Sequence, residues 1–158
     1  MSASKPPINI LLADDDEDDC LFFQDALKEL PVSTLLQTVS NGDQLMERLH
    51  DKQQFLPDLL FLDLNMPRKN GLDCLEEIKQ HTDLNRLFIA IYSTSLQQHI
   101  VDKVHEIGAQ YYICKPTSFS KLKNLIFQTI AFKETDSNLQ PSRGKFVLSQ
   151  EIFTNEKK

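Results

Sequence analysis

The stretch that most constrains this chain runs from Pro57 to Gly71, P-D-L-L-F-L-D-L-N-M-P-R-K-N-G. Asp58 opens it, and four apolar residues follow, Leu59-Leu60-Phe61-Leu62. A run this short, closed by Pro67 and Gly71, predicts a buried strand covered on both faces, the setting of a parallel sheet. Asp63 stands where the apolar run stops. That places a carboxylate at the carboxyl end of a central strand, the edge of an open α/β sheet where ligands bind. Any polar residue ending another strand on that side becomes a neighbour of Asp63.

The remaining chain repeats the pattern. Ile8 to Ala13 reads as a first strand and runs into the acidic stretch Asp14 to Asp19. Cys20, Phe23, Leu27 and Leu30 then fall on one helical face, with Pro31 as its stop. The acids at that helix start suit its dipole, so Asp16 to Asp19 need no role beyond capping. Thr34 to Val39 alternates weakly as a second strand, and Asn41-Gly42-Asp43 turns into a helix carrying Leu45, Met46 and Leu49. After the Asp58–Asp63 strand, Leu72, Leu75 and Ile78 mark a third helix. Leu87 to Tyr92 is a fourth strand leading into Ser93-Thr94-Ser95. Ile100, Val104 and Ile107 form the next helical face, which Gly108 caps. Tyr111 to Cys114 is a fifth strand closed by Lys115-Pro116, and Ser118 caps a last helix with Leu122, Leu125, Ile126 and Ile130 inward. Five strands alternating with five helices predict an α/β, doubly wound parallel sheet with right-handed crossovers.

Composition narrows the function. The 158 residues suit one domain with a short appendage, and a net charge of −6 argues against non-specific nucleic-acid binding. No apolar run approaches the about 20 residues of a membrane span, and Met1-Ser-Ala-Ser-Lys lacks the apolar core of a signal peptide. A cytoplasmic protein is expected. Cys20, Cys74 and Cys114 lie inside apolar patterns, which predicts buried free thiols. His99 and His105 are too far apart to share a helical face, so a metal site there is not expected.

Polar residues recur where the strands end: Asp14 and Asp15, Asp63, Ser93 and Lys115. In a parallel sheet all of them reach one edge. Three crowded carboxylates repel one another unless a cation neutralises them, and Mg2+ is usually held by one or two carboxylates, waters and a phosphate oxygen. Lys115 and Ser93 are left for the other oxygens of a phosphoryl group. These parts fit phosphoryl transfer, with Asp63 as the attacking carboxylate. Taken singly, each residue has a plain structural role as helix acid, loop hydroxyl or surface charge. Their joint placement argues for a site.

On these residues the chain resembles the receiver domain of bacterial two-component response regulators. The resemblance is carried by I-L-L-A-D-D ending at Asp15, L-F-L-D-L-N-M-P around Asp63, I-A-I-Y-S-T-S around Ser93, and Y-Y-I-C-K-P ending at Pro116. It covers about residues 8 to 132, and L-D-L-N-M-P-R-K-N-G looks most like stand-alone regulators of the phytochrome-partner type. The resemblance implies a flavodoxin-like (CheY-like) sheet of strand order 2-1-3-4-5. It implies that Asp63 accepts a phosphoryl group from a histidine kinase or phosphotransfer protein. It also implies that Mg2+ is held by Asp15, Asp63 and the backbone carbonyl of Asn65, with Asp14 acting through water. Lys115 would contact the phosphoryl group and precede a cis bond to Pro116. Ser93 and Tyr112 would be the switch pair, reporting to an output protein through the face of the fourth helix, fifth strand and fifth helix. A homodimer through the last-helix face follows by the same analogy.

Other classes are less well supported. An aspartyl-phosphate phosphohydrolase wants a second acid two residues after the nucleophile, where this chain has Asn65. The four glycines form neither a P-loop nor a dinucleotide fingerprint, and no helix-turn-helix or basic patch follows the last helix. A receiver domain over 1–133 and a polar tail over 134–158 are expected, with the tail dispensable for phosphorylation. Whether that tail packs back, pairs with another copy or stays disordered is open from sequence.

Overall fold

The computed structural model describes residues 5–135 and 140–148. Its elements in chain order are β1 (Ile8–Ala13), α1 (Glu17–Lys28), β2 (Thr34–Val39), α2 (Gly42–His50), β3 (Leu59–Leu62) and α3 (Gly71–Gln80), followed by β4 (Ile89–Ser93), α4 (Gln98–Ile107), β5 (Tyr111–Cys114), α5 (Phe119–Thr135), α6 (Arg143–Phe146) and β6 (Val147–Leu148). All strand pairings are parallel and the sheet order is β2-β1-β3-β4-β5-β6. The expected order 2-1-3-4-5 holds, with a sixth strand added by the tail beyond Lys133. Among the described residues of that segment, the apolar Phe146, Val147 and Leu148 are the ones it presents to the domain.

Period-two alternation splits the strands between two cores. Leu11, Ala13, Leu60, Leu62, Ile89, Ile91 and Tyr112 face the helices α2, α3 and α4. Ile10, Leu12, Leu59, Phe61, Ala90, Tyr92 and Ile113 face α1 and α5. Every residue of β3 is buried, as a central strand covered on both faces requires. Asp58 fixes the register of its start: its carboxylate accepts the Asn9 N–H at 2.8 Å.

The helices start where side chains can satisfy their first amides. Asp16, Asn41 and Asn70 cap α1, α2 and α3, accepting N–H groups at 3.1, 2.8 and 2.9 Å. Gly108 ends α4 with φ of 123°, a conformation costly for any residue with a Cβ. Boundaries shift slightly from expectation. α1 stops at Lys28, before Pro31, and β4 begins at Ile89, because the Leu87 N–H turns back to the Leu84 carbonyl. Cys74 is buried, whereas Cys20 and Cys114 are only half-buried because they sit at element ends beside the polar edge. No helix among the described residues is long and apolar enough to cross a membrane.

Phe61 belongs to an aromatic trio with Phe23 and Tyr92, its ring centroid 4.9 Å from the first and 6.4 Å from the second. Phe61→Ala is expected to cost about 3–5 kcal/mol in urea unfolding, the usual range for a buried aromatic. Phe55 is 93% exposed, and Phe55→Ala should stay within about 0.5 kcal/mol of the parent. Equal midpoints for the two variants would contradict this core.

Candidate functional site

Asp14, Asp63 and Lys115 are each held by a main-chain bond that prolongs the strand ladder by one step. The Asp14 N–H donates to the Val39 carbonyl at 3.0 Å, the Asp63 N–H to Ala13 at 2.9 Å and the Lys115 N–H to Ser93 at 2.9 Å. Their side chains therefore project from rigid backbone. Asp14 is 1% exposed, Asp63 5%, and Ser93 is fully buried, while Asp15 faces solvent. Carboxylate oxygens of Asp14, Asp15 and Asp63 all lie within 4.8 Å of one another.

Lys115 answers this concentration of negative charge. Its Nζ donates to Asp14 at 2.8 Å, Asp19 at 2.8 Å and Asp63 at 3.1 Å, and lies 5.1 Å from the centre of the buried Tyr92 ring. Burial alone would lower the ammonium's pKa, but its bonds to Asp14 and Asp19 and the charge of Asp63 outweigh that and hold it above its ordinary value. Asp14 moves the other way. Burial raises its carboxyl from 3.8 to about 6, against the bonds it accepts from Lys115 and from the Asp16 N–H.

The loop after Asp63 is pulled tightly back. The Asn65 N–H donates to Asp63 Oδ1 at 3.0 Å, and the Gly71 N–H donates to the Leu64 carbonyl at 3.0 Å. A Cβ at Gly71 would lie 2.2 Å from the Asp63 carbonyl oxygen, so only glycine permits that approach. Ser93 and Tyr112 meet on the other side of Asp63. The Ser95 N–H donates to Ser93 Oγ at 3.2 Å, and the Tyr112 hydroxyl donates to the Ser95 carbonyl. Burial raises the pKa of that phenol, partly offset by the neighbouring Ser93 side chain.

Asp14, Asp15, Asp63, Ser93 and Lys115 are thus brought to one edge, with Tyr112 directed inward behind Ser93. Two participants were missed by sequence reasoning. Asp19 was assigned to helix capping only, yet it is a carboxylate partner of Lys115; the capping is done by Asp16. Six consecutive acids give spacing nothing to distinguish, whereas helical geometry turns the third residue of α1 back over the edge. Tyr92 was read only as the end of a strand and forms the floor beneath Lys115. The expected cis bond before Pro116 is absent: the described residues contain no cis peptide. Lys115 reaches all three carboxylates with the bond trans, so nothing opposes the trans preference of about 0.5–1 kcal/mol.

The donor set fits a hard divalent cation: oxygen ligands only, two of them nearly buried and fixed by backbone, within one ion's reach. The fold is thus a parallel, doubly wound sheet that gathers three acids, a hydroxyl and a lysine at one edge, the arrangement of a receiver domain. The model of the response regulator receiver domain matches residues 10–127, and the chain belongs to that family, whose place is in phosphorelay signalling. Response regulator Rcp1 of Synechocystis sp. is 31% identical over 127 residues, covering 78% of this chain and 86% of Rcp1. The crystal structure of the Mn2+-bound form of Rcp1 matches with a TM-score of 0.70 and 28% identity, over 86% of this chain and 100% of that one. The phosphorylated cyanobacterial phytochrome response regulator RcpA matches with a TM-score of 0.73 and 28% identity, over 87% and 100%.

Because its folded value lies above the unfolded one, the Asp14 carboxyl favours folding at acid pH, and that contribution is lost as pH rises through about 6. A carboxyl-carbon NMR titration of ion-free protein should show this transition, and saturating Mg2+ should move it to lower pH by favouring the charged form. A titration indifferent to Mg2+ would count against a cation beside Asp14.

Proposed function

We propose that Asp63 is the phosphoacceptor of a Mg2+-dependent switch that signals by protein–protein contact. The observation that carries this reading is the placement of Asp63: a nearly buried carboxylate, paired with Lys115 and flanked by Asp14, Asp15 and Ser93. A carboxylate oxygen of Asp63 attacks the phosphorus of a phosphohistidine on a sensor histidine kinase or phosphotransfer protein. The P–O bond forms as the P–N bond breaks, and the imidazole nitrogen leaves with the electron pair and regains a proton from solvent. Lys115 exchanges carboxylate oxygens for phosphoryl oxygen, and Ser93 donates its hydroxyl to another. Mg2+, when bound by Asp15, Asp63 and the Asn65 carbonyl, with Asp14 acting through water, supplies charge neutralisation for the transferred group. The Mn2+-bound form of Rcp1 supports a divalent ion here.

The same reading makes the protein a catalyst only of its own phosphorylation and dephosphorylation, working in the cytoplasm. Its relatives point to a phytochrome-type kinase as the input. Movement of Ser93 toward the phosphoryl group acts on Tyr112, which already bonds the Ser95 carbonyl, and so biases the face of α4, β5 and α5 toward an output protein. Self-association through α5 is supported by the exposed Phe127 on that helix.

Asp63→Asn should abolish labelling by acetyl phosphate with Mg2+, read by intact-protein mass; undiminished labelling would identify another acceptor. The parent should hold its phosphoryl group without consuming small phosphate esters. Rapid multiple turnover would instead make the protein a phosphohydrolase.

A further inference from the structure

The segment 140–148 takes no part in the site, yet it is bound to the face through which the site would be read. It is fastened to α4 at three levels. The Gln140 side-chain amide donates to the carbonyls of His105 and Ala109 at 2.7 and 2.6 Å, satisfying backbone acceptors at the helix end. The His105 ring N–H donates to the Pro141 carbonyl at 3.0 Å, and the Arg143 guanidinium donates to Asp102 at 2.6 Å. The chain then enters the sheet as β6, with Val147 beside Tyr112 and Leu148 beside Ile113.

Phe146 is the apolar residue of this segment that reaches furthest in, and it is fully buried. Its ring meets His105 edge-on at 4.8 Å and Tyr112 edge-on at 6.3 Å. Tyr112 is therefore gripped at both ends, by the Ser93–Ser95 loop at its hydroxyl and by Phe146 at its ring. If the tyrosine swung outward, its ring would leave Ser95 for the flank of β5. Phe146 and the β6 backbone occupy that flank. A two-residue strand and a single helical turn are not stable alone, so their docking depends on the surface they meet.

We propose that residues 140–148 form a strap whose Phe146 wedges Tyr112 inward, so that strap docking and phosphorylation of Asp63 reinforce each other. The second half of the proposal rests on the switch role of Tyr112 given above. Two events that favour one conformer strengthen each other by the same factor. The strap lowers the cost of the switched state, and phosphorylation tightens the strap.

The test uses full-length protein labelled with 3-fluorotyrosine, whose three tyrosines give three fluorine resonances, Tyr112 being assigned by Tyr112→Phe. Two variants loosen the strap: Phe146→Ala, and the double change Gln140→Ala with Arg143→Ala, which alters no fully buried side chain. Both should show a second Tyr112 resonance for the outward ring. Both should also bind beryllofluoride with Mg2+ roughly fivefold or more weakly, and saturation should restore the single line. If both variants keep one Tyr112 line at the parent position, the wedge is overturned. A second line combined with parental beryllofluoride affinity would leave the wedge standing and sink both the coupling and the switch role of Tyr112.

Discussion

An ammonium ion among carboxylates holds this structure's working edge together. Asp14 and Asp63 converge because a parallel sheet delivers its strand ends to one side, the first turn of α1 adds Asp19, and in a largely buried setting the three could not remain charged together unaided. Lys115 makes the arrangement tolerable, reaching all three from the end of β5. Such a pocket is balanced rather than strongly stabilised, since deleting one partner of a buried ion pair commonly costs about 3–5 kcal/mol. A site of this kind responds to any change of charge at its centre. Adding or removing a dianionic group on Asp63 is such a change.

The two faces of the sheet treat that change differently. On the side of α1 and α5, Tyr92, Phe23 and Phe61 pack edge to face beneath Lys115, a dry floor with little freedom to move. On the side of α4, the buried groups next to Ser93 are a phenol and a loop carbonyl, joined by one hydrogen bond and backed by Phe146. Rigidity on one face and a displaceable contact on the other give a charge change a direction in which to act.

Much of this was legible in the chain. The burial of Leu59 to Leu62 on both faces made β3 central, and Asp63, Ser93 and Lys115 were visible as polar residues ending apolar runs. What escaped reading depends on three-dimensional direction rather than pattern. Asp19 is indistinguishable from its acidic neighbours until a helix turns it toward Lys115. β6 escaped because two apolar residues after a turn carry no periodicity, and only the open edge of β5 gives them something to pair with. α4, whose Gln97 makes no side-chain cap bond, is likewise placed by its packing and by Gly108 more than by any start signal.

Gly71 carries a consequence for how such a chain can diverge. Because no side chain fits against the Asp63 carbonyl, a residue with a Cβ at position 71 would shift the backbone of Asp63 itself. Arg68, by contrast, faces solvent in a left-handed turn with φ of 67°. The side chain at position 68 can therefore change without disturbing the backbone that carries Asp63.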